Sequence, residues 1–85
     1  MLDVSNNQIE HLGGLQKVHD LEELWSSNNL LSSFKEVEDA LSDKEKLETV
    51  YLEGNPLQKD AGVMYRNKVK LALPRVRQID ATFVR

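Results

Sequence analysis

The residues that could do chemistry in these 85 amino acids are few, and their spacing takes most of them out of catalysis. His11 and His19 stand in one short stretch with no third ligand at a metal spacing, and there is no cysteine. The serine pairs 26–27 and 32–33 have no histidine base placed near them and read as turn and capping residues. The carboxylate pairs Glu22-Glu23 and Glu38-Asp39 fall on segments expected to face water, where nothing tunes them for acid–base work. Gly13-Gly14 lacks the strand-to-helix setting of a phosphate loop. No enzyme, catalytic residue, metal site or cofactor is therefore expected. What remains is recognition. The single tryptophan, Trp25, one of two tyrosines, Tyr51, and the carboxylates Asp3, Glu23 and Glu53 are types that build protein interfaces. Each aromatic ring buries a large rigid area and keeps a polar tip.

A repeat positions these residues. In Leu47-Glu48-Thr49-Val50-Tyr51-Leu52-Glu53-Gly54-Asn55-Pro56-Leu57, Val50 and Leu52 are two apart and share one face of an extended strand. Asn55 then stands where the chain turns a corner, able to bond backbone groups there. Leu2, Val4, Asn7 and Ile9 hold the same offsets, and so do Leu24, Ser26, Asn29 and Leu31. The corner asparagines are spaced by 22 and 26 residues. A period in the twenties with L-x-x-L-x-L-x-x-N-x-L is the leucine-rich-repeat signature. One such coil cannot bury its apolar edge alone, so coils stack and pool their leucines. The expected class is α/β: a solenoid with short parallel strands on a concave face, helical or irregular convex returns and a C-terminal cap helix. Strand alternation turns Asp3, Trp25, Tyr51 and Asp80 outward as a central column. Glu23, Thr49 and Gln78 flank it on one side, and Ser5, Ser27, Glu53 and Thr82 on the other.

The expected organisation is a first repeat over 1–20, a second over 21–46, a third strand and turn over 47–57, and a cap over 58–85. The first return holds Gly13-Gly14 and predicts a short turn rather than a helix. The second predicts two or three helical turns after Ser33, with Val37 and Leu41 inward and Lys35, Glu36, Glu38 and Asp39 in water. In the cap, Asp60 is the expected N-cap of a helix whose apolar stripe is Tyr65, Val69, Ala72 and Leu73, ended by Pro74. Val76 to Asp80 repeats the offsets of Leu47 to Tyr51 and predicts one more strand. The first layer (Leu2, Val4, Ile9, Leu12) has nothing before it, which is expected of a piece of a longer solenoid or of an edge that a partner or self-association covers.

Length and charge bound the rest. A chain this short buries only about 60–65% of its unfolded surface. No apolar run nears the roughly 20 residues of a membrane span, so no membrane contact is expected. Residues 1–56 carry twelve acidic and four basic side chains, a net −8, and residues 57–85 carry two and seven, a net +5. The acidic part argues against nucleic acid, because phosphate contacts need clustered cations.

Two stretches resemble a known family. Asn55-Pro56-Leu57, Tyr65-Arg66 with Val69, and Leu73-Pro74 with Val76 and Ile79-Asp80 resemble the cap that closes several nuclear and cytoskeletal leucine-rich-repeat proteins. Residues 47–60 and 71–85 resemble the C-terminal end of the leucine-rich-repeat regulatory subunits of protein phosphatase 1. The resemblance implies a non-enzymatic regulator of nucleus and cytoplasm whose concave face holds the catalytic subunit of a type-one Ser/Thr phosphatase. It implies acidic and aromatic contact residues, and Glu23, Trp25 and Tyr51 match those positions. Departures are the polar Ser26-Ser27-Asn28 and the longer approach to the cap helix at Ala61-Gly62-Val63-Met64. The competing readings are the cap region of a spliceosomal or axonemal leucine-rich-repeat protein, or a purely structural capping fragment. An acidic concave face disfavours an RNA-linked role.

Ser26 breaks the pattern, standing where Val4 and Leu52 point into the core. A buried leucine is worth about 1.5–3 kcal/mol over exposure, and an unpaired buried hydroxyl costs more still. Ser26→Leu is expected to raise the melting temperature in a thermal denaturation scan.

Overall fold

Apolar–polar alternation in three short segments sets up the sheet, seen here in a computed structural model that describes residues 1–15 and 18–83. Strands β1 (Leu2–Asp3), β2 (Glu23–Trp25) and β3 (Thr49–Tyr51) pair in parallel in chain order. Leu2 lies opposite Leu24 and Leu24 opposite Val50, while Asp3, Trp25 and Tyr51 align in the adjoining column. β4 (Gln78–Ile79) adds in parallel to β3, with Val50 opposite Ile79, and β5 (Thr82–Phe83) folds back antiparallel to end the sheet. Inward Leu24, Val50 and Ile79 are wholly buried, and Leu21, Leu31, Leu41, Leu47, Leu52 and Leu57 fill the core around them. Leu2, Val4 and Ile9 are only half-buried against that core.

Corner asparagines satisfy backbone groups that no ladder reaches. The Asn55 Oδ1 accepts from the amides of Asn29 and Leu31 at 3.2 and 3.1 Å, and its Nδ2 donates to the carbonyls of Ser26 and Leu52. Asn29 repeats this one coil earlier, accepting from Asn7 and Ile9 and donating to Val4. Beside this inner row runs an outer one. Asn6, Asn28 and Gly54 each precede a corner residue and each take a positive φ, of 61°, 57° and 80°. The Asn28 Nδ2 donates to the Asn6 Oδ1, and a Cβ on Gly54 would sit 2.0 Å from the Asn28 Oδ1. Glycine at 54 takes this conformation without strain, and a larger residue there would have to displace the Asn28 side chain.

The convex side carries the helices. The first return has no helix among the described residues; Gln16 and Lys17 lie outside them. The second contains α1 (Phe34–Leu41), capped by the Ser33 side chain accepting from the Glu36 amide, with Val37 and Leu41 buried. Glu36 is not simply solvated, as the sequence suggests. Its carboxylate accepts from the Leu12 amide and lies 2.8 Å from the His11 Nδ1, fastening the first return to α1. Lys44, just past α1, is buried with its ammonium 3.4 Å from the Asp43 carboxylate, and it makes no hydrogen bond among the described residues.

The cap differs from the expected single helix. Pro56 opens α2 (Pro56–Ala61), a 3₁₀ turn follows (Gly62–Met64), and α3 (Tyr65–Ala72) then packs on α1, where Lys68 lies over the Phe34 ring. Asp60 lies inside α2 and caps nothing. Proline's fixed φ suits the first helical position, so the helix begins directly at the corner. The expected stripe of Tyr65, Val69, Ala72 and Leu73 is buried, as is Val76. No helix among the described residues is long and apolar enough to cross a membrane.

Ser26 is wholly buried in the core layer, as its parity requires. Its hydroxyl is paired, however, lying 3.2 Å from the Asn29 Nδ2. The penalty for an unpaired hydroxyl therefore drops out. A lower melting temperature for Ser26→Leu would now report a layer too tight for the larger side chain rather than a wrong register.

Asp80 is the largest departure. Instead of pointing outward beneath Tyr51, it takes a φ of 55° at the β4–β5 turn and is 5% exposed. Its Oδ1 accepts from the amides of Leu52 and Glu53 at 2.8 and 3.0 Å, and its Oδ2 accepts from the Tyr65 hydroxyl at 2.8 Å. In earlier coils the next strand's carbonyl takes the equivalent amide: Val4 donates to Trp25 and Ser26 to Tyr51. β4 ends at Ile79, and the Asp80 side chain takes the place of the strand carbonyl at this level. Burial first, and then the Asp80 charge, push the Tyr65 phenol far above its usual range, so it remains a donor. Tyr65→Phe should cost about 1.5–3 kcal/mol, the worth of a hydrogen bond to a charged group, and Asp80→Ala more, in urea denaturation.

The His11–Glu36 pair gives a pH signature. The bond to Glu36 raises the His11 pKa above its ordinary 6.5, and the same bond lowers that of Glu36 below 4.5. The histidine's contribution is complete below pH 6.5 and fades as pH rises through its raised value. The glutamate's is complete above 4.5 and fades as pH falls through its lowered value. The pair supports the fold most between those limits. Melting temperature should decline as pH rises above that window, and His11→Gln should flatten this decline.

Candidate functional site

The outward face of β1 to β3 gathers most of the residues marked for recognition. β2 and β3 align Trp25 beside Tyr51, with ring centroids 4.7 Å apart and planes tilted by 34°. Such a pair adds about 0.5–1.5 kcal/mol beyond area burial and holds both rings in place. Both residues are half-buried, leaving ring surface for a partner. The Trp25 Nε1 donates to the Glu23 Oε1 at 3.2 Å, which locks the indole from within its own strand. Asp3 completes the column beside Trp25 and is exposed, its Oδ1 accepting from the Ser5 amide at 3.0 Å. Glu53 is exposed just past β3, its amide held by Asp80.

Two residues of the expected columns are absent from this face. Asp80 is turned in to close the array. Ser27 is buried, its amide donating to the Ser5 hydroxyl at 3.1 Å, so that edge of the face is internally bonded. One contributor is more than its column position suggests. Gln78, on β4, donates from Nε2 to the Tyr51 hydroxyl oxygen at 3.1 Å. The sequence places Gln78 in a flanking column, but a bond diagonal to the strand register is not readable from alternation alone. What the surface can do is bind: two rigid aromatics framed by three carboxylates, with exposed acidic groups and no cation among Asp3, Glu23, Trp25, Tyr51 and Glu53. Among the described residues no group of three His, Asp or Glu side chains could hold a metal ion.

Short parallel strands, asparagine corners, convex returns and a helical cap define a leucine-rich-repeat solenoid. No protein-family model matches the chain. It is 63% identical over 76 residues to protein phosphatase 1 regulatory subunit SDS22 of Schizosaccharomyces pombe, a match covering 89% of this chain and 22% of that protein. It is 64% identical over 56 residues to protein phosphatase 1 regulatory subunit 7 of Homo sapiens, covering 66% of this chain and 15% of that one. The chain thus spans about a fifth or less of the length of these relatives. Among solved structures it superposes on the leucine-rich-repeat domain of Mex67 from Chaetomium thermophilum with a TM-score of 0.77 and 22% identity, over 98% of this chain and 56% of that one. It also superposes on a chain of the Drosophila melanogaster SNF/U2A′ complex with a TM-score of 0.79 and 25% identity, over 95% and 46%. These structural likenesses carry the fold; the family resemblance read from residues 47–60 and 71–85 is borne out by the relatives.

Proposed function

We propose that the chain is a non-enzymatic protein-interaction scaffold, part of a regulatory subunit whose concave face binds the catalytic subunit of a type-one Ser/Thr protein phosphatase. The observation that carries this reading is the Trp25–Tyr51 pair, held rigid on neighbouring strands and framed by Asp3, Glu23 and Glu53. Preset aromatics lose little freedom on binding, and tryptophan and tyrosine dominate interface energetics. Relatives at 63% and 64% identity carry the name of protein phosphatase 1 regulatory subunits, which supplies the partner. The surrounding carboxylates suit a partner surface with basic residues and favour fast association at low salt. A spliceosomal or axonemal identity is not favoured, because the relatives at 63% and 64% identity are named as phosphatase regulatory subunits.

The test measures binding of the phosphatase catalytic subunit to the chain, and to a chimaera carrying it in place of the matching segment of the fission yeast relative. Trp25→Ala and Tyr51→Ala should each weaken binding roughly 30-fold or more, the loss typical of an interface hot spot. Circular dichroism should show both variants folded. Undiminished binding by folded variants would overturn the reading.

A further inference from the structure

Gln78 is fixed by two bonds whose direction is unambiguous. Its Nε2 lies 2.8 Å from the Asp80 carbonyl oxygen and 3.1 Å from the Tyr51 hydroxyl oxygen. A carbonyl oxygen can only accept, so the amide must turn its nitrogen, not its oxygen, toward Asp80. That nitrogen has one hydrogen left, and it points at the Tyr51 phenol, whose oxygen therefore accepts. The phenol's own proton has no acceptor among the described residues. Trp25 is in the opposite condition, its N–H already given to Glu23. The aromatic pair thus offers a partner one uncommitted hydrogen-bond donor, the Tyr51 O–H.

Resting on the reading that this face binds the phosphatase catalytic subunit, we propose that Gln78 is a positioning residue of the interface. It holds the Tyr51 hydroxyl as an outward donor to a backbone carbonyl oxygen of the partner. A carbonyl is the acceptor of choice because Asp3, Glu23 and Glu53 make the surroundings negative, and a partner carboxylate would be repelled. Among the described residues the Gln78 side-chain amide bonds only to Tyr51 and to its own turn, so it acts through the tyrosine. The turn that closes the array also sets the chemistry of its face.

A double-mutant cycle on phosphatase affinity, with the chain and the chimaera described above, tests this. Gln78→Leu removes the donor, and Gln78→Glu places an acceptor there, drawing the phenol proton inward. Each should weaken binding about five-fold, the worth of one hydrogen bond, when Tyr51 is present. In the Tyr51→Phe background each should change binding less than two-fold. Equal losses in both backgrounds would show that Gln78 acts by loosening the β4–β5 turn generally, and would overturn the proposal. No loss in either background would overturn it as well. The two readings separate on Trp25→Ala. If that variant binds undiminished, the concave-face reading falls. If it binds weakly while Gln78 and Tyr51 show no coupling, only the role of Gln78 falls.

Discussion

The whole structure depends on what becomes of the backbone at each corner. A coil that turns out of a strand buries amides and carbonyls that no neighbouring strand can reach, and each one left unpaired costs about 1–3 kcal/mol. Asn55 and Asn29 each satisfy two amides and at least one carbonyl, reaching across to the neighbouring coil. An amide side chain is the right tool because it accepts and donates at once. Since each asparagine must reach the coil beside it, the corners stack, and stacked corners fix the register of the strands between them. That register sets Trp25 on Tyr51 and turns Leu24 and Val50 to the core. The face proposed for binding is a by-product of satisfying the corner.

An array built this way has an ending problem, and the cap solves it with one carboxylate. Just past β3, the amides of Leu52 and Glu53 lie beyond the reach of β4, which ends at Ile79. Asp80 accepts both through one oxygen and takes the Tyr65 hydroxyl on the other. A residue that closes the sheet and clasps α3 must be short, acceptor-only and able to adopt a positive φ, which fits aspartate well. The same turn carries Gln78 and hence reaches Tyr51. Closure of the sheet and the setting of Tyr51 are linked through residues 78–80.

Charge is sorted along the same lines. Among the acidic groups of residues 1–56, Asp3, Glu23 and Glu53 lie on the concave face and Glu36, Glu38 and Asp39 on α1, where Lys35 is paired with Asp39. Cap cations serve the cap: the Lys70 ammonium donates to the carbonyls of Pro74 and Val76, and Arg66 donates to the Thr82 hydroxyl. Arg66, Lys68 and Lys70 are thereby engaged within the fold rather than with the concave face. Buried Lys44 is the exception, a charge beside Asp43 that the surrounding leucines must tolerate.

Sequence alone settled whatever follows from periodicity. The offsets of leucine and asparagine gave the repeat, alternation gave the inward set and put Trp25 and Tyr51 on one face, and Ser33 with Val37 and Leu41 gave α1. These are local regularities, and those of leucine, asparagine and strand alternation are enforced independently in two or three coils. Tertiary structure decided what happens where the regularity ends. Asp80 has the spacing of a strand residue, and only the turn that ends β4 and the nearness of Tyr65 direct it inward. Asp60 has the composition of a cap, but Pro56 had already begun a helix. His11 and Glu36, 25 residues apart, meet because coils stack, and Gln78 finds Tyr51 for the same reason. A repeat announces itself in one dimension; the bonds that close it join residues with no shared period.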